Sequence, residues 1–264
     1  MGRRLRGRPP AGRRSRAASR FSVALAAMLV VALGAGPLGA QPGDVPAHEF
    51  YFTRAIYGGG AGSEWGPRWA IDYPEADQHF LTALRRLTIV DATDGELAVA
   101  LDDPKLRDYP FLYILEVGSL LLDDSTARSL REYLAAGGFM VIDDFWGTWA
   151  WENFENQMHK VFPERPIVEV PLDHPVFNAF YDIDRVIQVP NVSRAETGPT
   201  HEYDGIIPHV RGIFDDEGRL MVLINWNTDL GDAWEWADSP SYPLRYSTYA
   251  FEIAVNFVVY AMSH

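Results

Sequence analysis

Two adjacent carboxylates, Asp143 and Asp144, end the apolar run Phe139-Met-Val-Ile142 and precede Phe145-Trp146-Gly147. Polar groups at the carboxyl end of a buried strand sit where open parallel sheets collect ligands. Neighbouring strand side chains point to opposite faces, so both acids reach one ligand only if the chain turns between them. The chemical reading has one acid aimed into the crevice, as ion ligand or general base, while the other caps the next helix. The structural reading has both acids serving as caps and turns. Asp143 and Asp144 are therefore the candidate catalytic residues. A second group lies in Ile224-Asn-Trp-Asn-Thr-Asp-Leu-Gly-Asp-Ala-Trp234, where Asn225, Asn227 and Asp229 alternate like the opening oxygens of a calcium loop. That match fails at Leu230, where glycine is needed, and at Trp236, where glutamate is needed, which leaves an Asx-rich turn. Arg54 with Tyr57, and Glu116, mark two further strand ends that carry polar groups. Trp146, Trp149 and Trp151 follow the acid pair, while Trp226, Trp234 and Trp236 flank the turn. Rings beside carboxylates and amides suit sugars, and rings also fill cores. The candidate ligand-binding set is Arg54, Tyr57, Trp146, Asn225, Asn227, Asp229, Asp232 and Trp234.

Other chemistries are absent from the pattern. The chain has no cysteine, which removes disulfides, thiolate metal sites and cysteine nucleophiles. Its histidines form no H-E-x-x-H or H-x-H spacing, so no zinc site is assigned. No G-x-S-x-G elbow occurs, and Gly58-Gly-Gly-Ala-Gly62 lacks the lysine of a phosphate loop. No metal and no cofactor is assigned from the sequence.

The elements that must carry these residues alternate between strand and helix. Phe50–Ile56 reads as a strand, and Asp72 with Pro74 opens a helix burying Ala76, Phe80, Leu84 and Leu87. Thr88–Val90 is expected as a short strand, Pro110–Leu115 as a strand buried on both faces. Asp124 or Ser125 caps a helix that Gly137-Gly138 closes, Phe139–Ile142 is a further buried strand, and a helix spans Trp149–Lys160. This order implies a parallel sheet with right-handed crossovers. The second half predicts short strands at Ile167–Val170 and Ile187–Val189 and a hairpin over Gly212–Ile224 turning at Asp215–Gly218. A buried helix then covers Ser247–Met262.

Charge divides the chain. Residues 1–40 hold eight arginines and no acid, so residues 41–264 carry all 36 acids against 15 basic groups, a net charge of −21. The basic start, the apolar run Phe21–Ala35 and the exit Gly36-Pro-Leu-Gly-Ala40 are expected to be a signal peptide cleaved after Ala40, with a retained anchor as the rival reading. Arg13-Arg14 is followed by Ala17-Ala18 rather than the apolar pair of a twin-arginine signal, so ordinary secretion is expected. Residues 41–48 read as a linker and 49–264 as one α/β domain, periplasmic or secreted, with no stable membrane span after signal removal. So acidic a surface argues against nucleic acid as partner.

Gly137-Gly-Phe-Met-Val-Ile-Asp-Asp-Phe-Trp-Gly147, Asp173-His-Pro-Val-Phe177, Asn225-Trp-Asn-Thr-Asp-Leu-Gly-Asp-Ala-Trp-Glu235 and Asn256–His264 together resemble the bacterial family known as domain of unknown function 4159 (DUF4159). The resemblance runs over about residues 49–264. It implies a flavodoxin-like sheet similar to that of class I glutamine amidotransferases, flanked by helices, with an added β-hairpin region and the buried C-terminal helix. It would also place Asp143-Asp144-Phe-Trp-Gly at the amidotransferase nucleophile elbow and Val117-Gly118-Ser119 at the glycine loop. With aspartate in place of cysteine, glutaminase activity is not expected.

The sequence thus predicts an exported, cell-envelope, ligand-binding or accessory module. Its partner would be a small-molecule or glycan ligand, with envelope proteins as further partners. The alternative is a hydrolase using Asp carboxylates, assisted or not by a divalent ion, on a sugar-like substrate. A carboxyl pair facing one cavity would favour catalysis, and its absence would favour binding.

Overall fold

The computed structural model describes residues 48–59 and 66–264. The expected signal peptide and the linker up to residue 47 lie outside the described residues.

Seven strands form one mixed sheet: β1 (Thr53–Ile56), β2 (Leu97–Ala100), β3 (Phe111–Leu115), β4 (Phe139–Asp143), β5 (Val168–Glu169), β6 (His209–Phe214) and β7 (Leu220–Trp226). Their spatial order is β2-β1-β3-β4-β7-β6-β5. The β2, β1, β3, β4 and β7 strands run parallel, in registers such as Leu115 beside Asp143 and Ile142 beside Ile224. The β6 strand is antiparallel to β7 and to β5, forming the hairpin read from Asp215–Gly218. All five residues of β3 and of β4 are buried, as their uninterrupted apolar sequences require of central strands covered on both sides.

Helices α1 (Glu75–Leu87), α4 (Leu230–Glu235) and α5 (Leu244–Ser263) pack on one face of the sheet. Helices α2 (Asp124–Ala135) and α3 (Gly147–Val161) cover the other. Chain direction explains the split. From β1 the chain moves through α1 to β2 on one side, and from β3 through α2 to β4 on the other. Right-handed crossovers taken in opposite directions place their helices on opposite faces. The carboxyl ends of β1 and β3 therefore flank a topological switch point, the crevice such sheets use for ligands. Among the described residues no helix is long and apolar enough to cross a membrane.

Two expected strands are not formed. At residues 88–90, Thr88 Oγ1 donates to the Leu84 carbonyl (2.7 Å) and accepts from the Val90 N–H (3.2 Å). Those bonds finish helix α1 and leave Ile89 in solvent, while the edge strand forms later, at Leu97–Ala100. At residues 187–189 the backbone is held by side chains instead of a ladder: Val189 N–H donates to Thr228 Oγ1 (3.0 Å). The cap of α2 is Asp123, whose carboxylate accepts from the Thr126 N–H, one or two residues before the expected positions. Leu87 is exposed, so the buried stripe of α1 ends at Leu84.

Candidate functional site

A cavity of about 580 Å³ opens at the switch point. Its floor is Asp72 from the loop after β1, Asp144 at the end of β4 and Asp229 after β7. One carboxylate oxygen from each lies within 4.8 Å of the other two. Phe145, Trp146, Trp149 and Tyr203 supply an aromatic wall, on which Trp149 is 74% and Tyr203 82% exposed.

The backbone is bent to deliver these groups. Asp72, Glu116, Asp144, Tyr203 and Asn227 are the non-glycine residues with positive φ among the described residues. Four of them line the cavity and the fifth, Asn227, braces it. A left-handed residue without glycine costs on the order of 1–3 kcal/mol, and such strain concentrates at functional sites. At Asp144 (φ 45°) the chain leaves β4 and swings the carboxylate away from the strand's course. Its Oδ1 accepts from Trp146 Nε1 (2.9 Å), and its carbonyl accepts the Glu116 N–H (3.0 Å), so the ends of β3 and β4 are tied together. Asp229 caps α4 by accepting the Asp232 N–H on Oδ1 (2.8 Å). Asn227 Oδ1 accepts the Gly147 N–H (2.9 Å) and its Nδ2 donates to the Ile207 carbonyl (2.8 Å), joining the β7 turn to the start of α3.

Burial is the first cause of an upward pKa shift at each floor acid. Asp232 is the next cause at Asp72, Glu116 at Asp144, and Asp144 at Asp229. Asp72 is half-buried as a residue, yet its Oδ2 is closed to solvent and has no hydrogen-bond partner among the described residues. None of the three acids forms an ion pair among the described residues. Arg68 is taken by both oxygens of Glu116 (3.0 and 2.9 Å), and Arg54 by Asp77. The floor is thus a concentration of negative charge that favours protons or a cation.

Residues 52–262 match the family described as Domain of unknown function (DUF4159). The chain belongs to this family. Among curated proteins there is no match.

In this DUF4159 protein the residues singled out from sequence go to different places. Asp144, Trp146 and Asp229 line the switch-point cavity. Asp232 lines a neighbouring cleft, where its Oδ2 accepts the Val192 N–H (2.6 Å). Asp143 points to the opposite face, as strand alternation requires: Oδ2 accepts from Tyr113 Oη (2.6 Å) and from the Leu230 (2.9 Å) and Gly231 (3.1 Å) N–H groups. It therefore receives the start of α4 and does not cap the helix that follows it in sequence. Arg54 is fully buried: Nε and Nη2 bind Asp77, Nη1 donates to the Ile71 carbonyl (3.3 Å), and its guanidinium lies 4.8 Å over the Tyr113 ring. Tyr57 Oη donates to the Leu115 (2.9 Å) and Glu116 (3.0 Å) carbonyls and lines a separate cleft. Asn225 and Trp234 are buried, with Trp234 packed edge-on to Phe52 and tilted against Phe80 and Tyr113.

The sequence reading did not single out Asp72, Arg68, Glu202 or Tyr203 as site residues. Asp72 was legible only as a helix opener, and nothing in its spacing relates it to Asp144 across 72 positions of chain. It is seated against Gly231, where any Cβ would overlap its Oδ2. Gly231→Ala is expected to destabilise by about 1–3 kcal/mol through this overlap. Calorimetric melting checks it, and an unchanged midpoint would refute the placement of Asp72.

Proposed function

We propose that this DUF4159 protein is an exported ligand-binding module whose switch-point cavity takes a small hydroxylated ligand of the sugar class. The observation that carries the reading is the joint lining of one cavity by the three carboxyl groups of its floor and the exposed rings of Trp149 and Tyr203. Ring C–H faces pack on Trp149 and Tyr203, while hydroxyl groups reach Asp144 and Asp229. Aromatic contacts of this kind contribute roughly 0.5–1.5 kcal/mol each beyond area burial. Export rests on residues 1–40, with their arginines, apolar run and small-residue exit.

We also read the fold as flavodoxin-like and similar to class I amidotransferases. Five parallel strands and a sharp strand-to-helix turn at Asp144 support that likeness. With no cysteine in the chain, thioester chemistry is excluded.

A second reading, hydrolysis, is favoured by the carboxyl groups that share the cavity. Glycosidase carboxyl pairs stand about 5–5.5 Å apart for retention or about 6.5–9.5 Å for inversion. Floor oxygens within 4.8 Å of one another are compatible with the shorter of these separations and also suit a shared proton or a shared cation. Binding is put first because the exposed rings of Trp149 and Tyr203 line the same cavity, a feature that proton transfer by the carboxyl groups does not itself require.

The test is a thermal-shift and calorimetric titration with glucose, N-acetylglucosamine and its short oligomers. Trp149 is exposed, so Trp149→Ala is expected to weaken binding by about three- to tenfold, the equivalent of one aromatic contact, with the melting point of the free protein unchanged. No shift with any of these sugars, or equal binding by Trp149→Ala, would overturn the reading.

A further inference from the structure

The floor of the cavity has more negative charge than a sugar can use. We propose that Asp72, Asp144 and Asp229 together bind one hard divalent cation, of the magnesium, manganese or calcium type. The inference rests on the reading that this cavity is the functional site and adds what occupies its floor.

Besides the cluster itself, one observation points to a ligand there. Asp72 Oδ2 is a buried oxygen without any hydrogen-bond donor, a condition native proteins seldom tolerate without an ion or water. Asp229 is only 2% exposed, and its Oδ1 caps α4. Both side chains contribute to the same three-oxygen cluster.

The spacing fits the ion. Oxygens on opposite sides of a calcium at about 2.4 Å stand about 4.8 Å apart, and those around magnesium stand closer. The three oxygens, all within 4.8 Å of one another, are near enough to share one such ion. The donors are carboxylates alone, without histidine or thiolate, which selects oxygen-preferring ions over zinc or copper. Three protein oxygens leave further coordination positions facing the cavity, where water or a ligand hydroxyl can enter. Asp72 also belongs to a second set with Asp232 and Glu235. There Glu235 is only half-buried and the set faces the neighbouring cleft, whereas Asp144 and Asp229 are both buried and line the switch-point cavity.

Manganese is the probe. Titration of the full-length chain or its secreted form, followed by calorimetry and by the paramagnetic resonance spectrum of Mn²⁺, is expected to give one bound ion per chain. Asp144→Asn and Asp229→Asn should each weaken it at least tenfold, while Glu235→Gln stays within about twofold. Both asparagine variants should melt in chelator no lower than the parent, because each removes a charge from a crowded, buried cluster. That rules out misfolding as the cause of lost binding. Absence of Mn²⁺ binding at millimolar concentration, or equal binding by the two asparagine variants, would overturn the proposal. Failure of the sugar reading would be distinct: Mn²⁺ would still bind through the three acids, while Trp149→Ala would have no effect on any sugar.

Discussion

Replacing Arg54 with methionine is expected to cost the fold about 3–5 kcal/mol, the usual consequence of stripping one partner from a buried ion pair. Arg54 and Asp77 are both fully buried and meet through two hydrogen bonds. Burial alone works against charge on the guanidinium. The Asp77 carboxylate overcomes that opposition and holds the Arg54 pKa above its ordinary value. With the arginine gone, Asp77 would stay between α1 and β1 as an uncompensated carboxylate. Arg54→Met with Asp77→Leu should regain most of the loss, since an apolar pair needs no such compensation. Urea midpoints of the two variants check this, and a single variant within 1 kcal/mol of the parent would refute it.

The same substitution should reach the site. Arg54 Nη1 holds the Ile71 carbonyl, and the next residue is Asp72, in left-handed backbone and seated on Gly231. Arg54 is thus a positioning residue for the cavity floor, which it holds from behind through Ile71 without itself lining the cavity. The sequence showed a cation at a strand end, which is equally what a ligand-binding arginine looks like. What decides its role is Asp77, in the first turn of α1, and a contact 23 positions away in sequence carries no periodic signal.

Much of the sheet was legible because central strands are written as unbroken apolar runs. Phe111–Leu115 and Phe139–Asp143 could hardly lie anywhere except between two helical layers. The hairpin was legible from Asp215–Gly218, and α5 from its nearly all-round apolar surface. Edges were harder. Leu97–Ala100 and Thr88–Val90 are alike in composition, and only tertiary pairing with β1 selects the first. Site residues divide in the same way. Asp144 and Asp229 could be found because strand ends and Asx turns are local features. Asp72, Glu202 and Tyr203 lie in loops whose paths depend on left-handed residues, and nothing in the types Asp, Glu or Tyr announces a positive φ.

Stability in the presence of chelator is expected to fall as pH rises from about 4 to 7. Asp143 is the best-defined contributor. Burial pushes its pKa up to about 7, even though Tyr113 and the Leu230 and Gly231 N–H groups favour its ionised form. In the unfolded chain an aspartate titrates near 4. Between those values the native protein holds a proton that the unfolded chain has released, so each pH unit removes about 1.4 kcal/mol, and the whole window about 4 kcal/mol. Asp72, Asp144 and Asp229 are shifted in the same direction and steepen the decline. Below pH 4 the trend reverses. Asp123, held near 2 first by the Thr126 N–H and then by Ser125, loses its capping charge there. Stability should therefore peak near pH 4–5 and not at neutrality. Asp143→Asn should remove about one proton from the slope while keeping an oxygen to accept from Tyr113 and α4. Urea midpoints at half-unit intervals from pH 4 to 8 measure both effects. A midpoint that is flat or rising between pH 4 and 7 would mean that these acids are ionised in the native state, with counter-charge that the described residues do not supply.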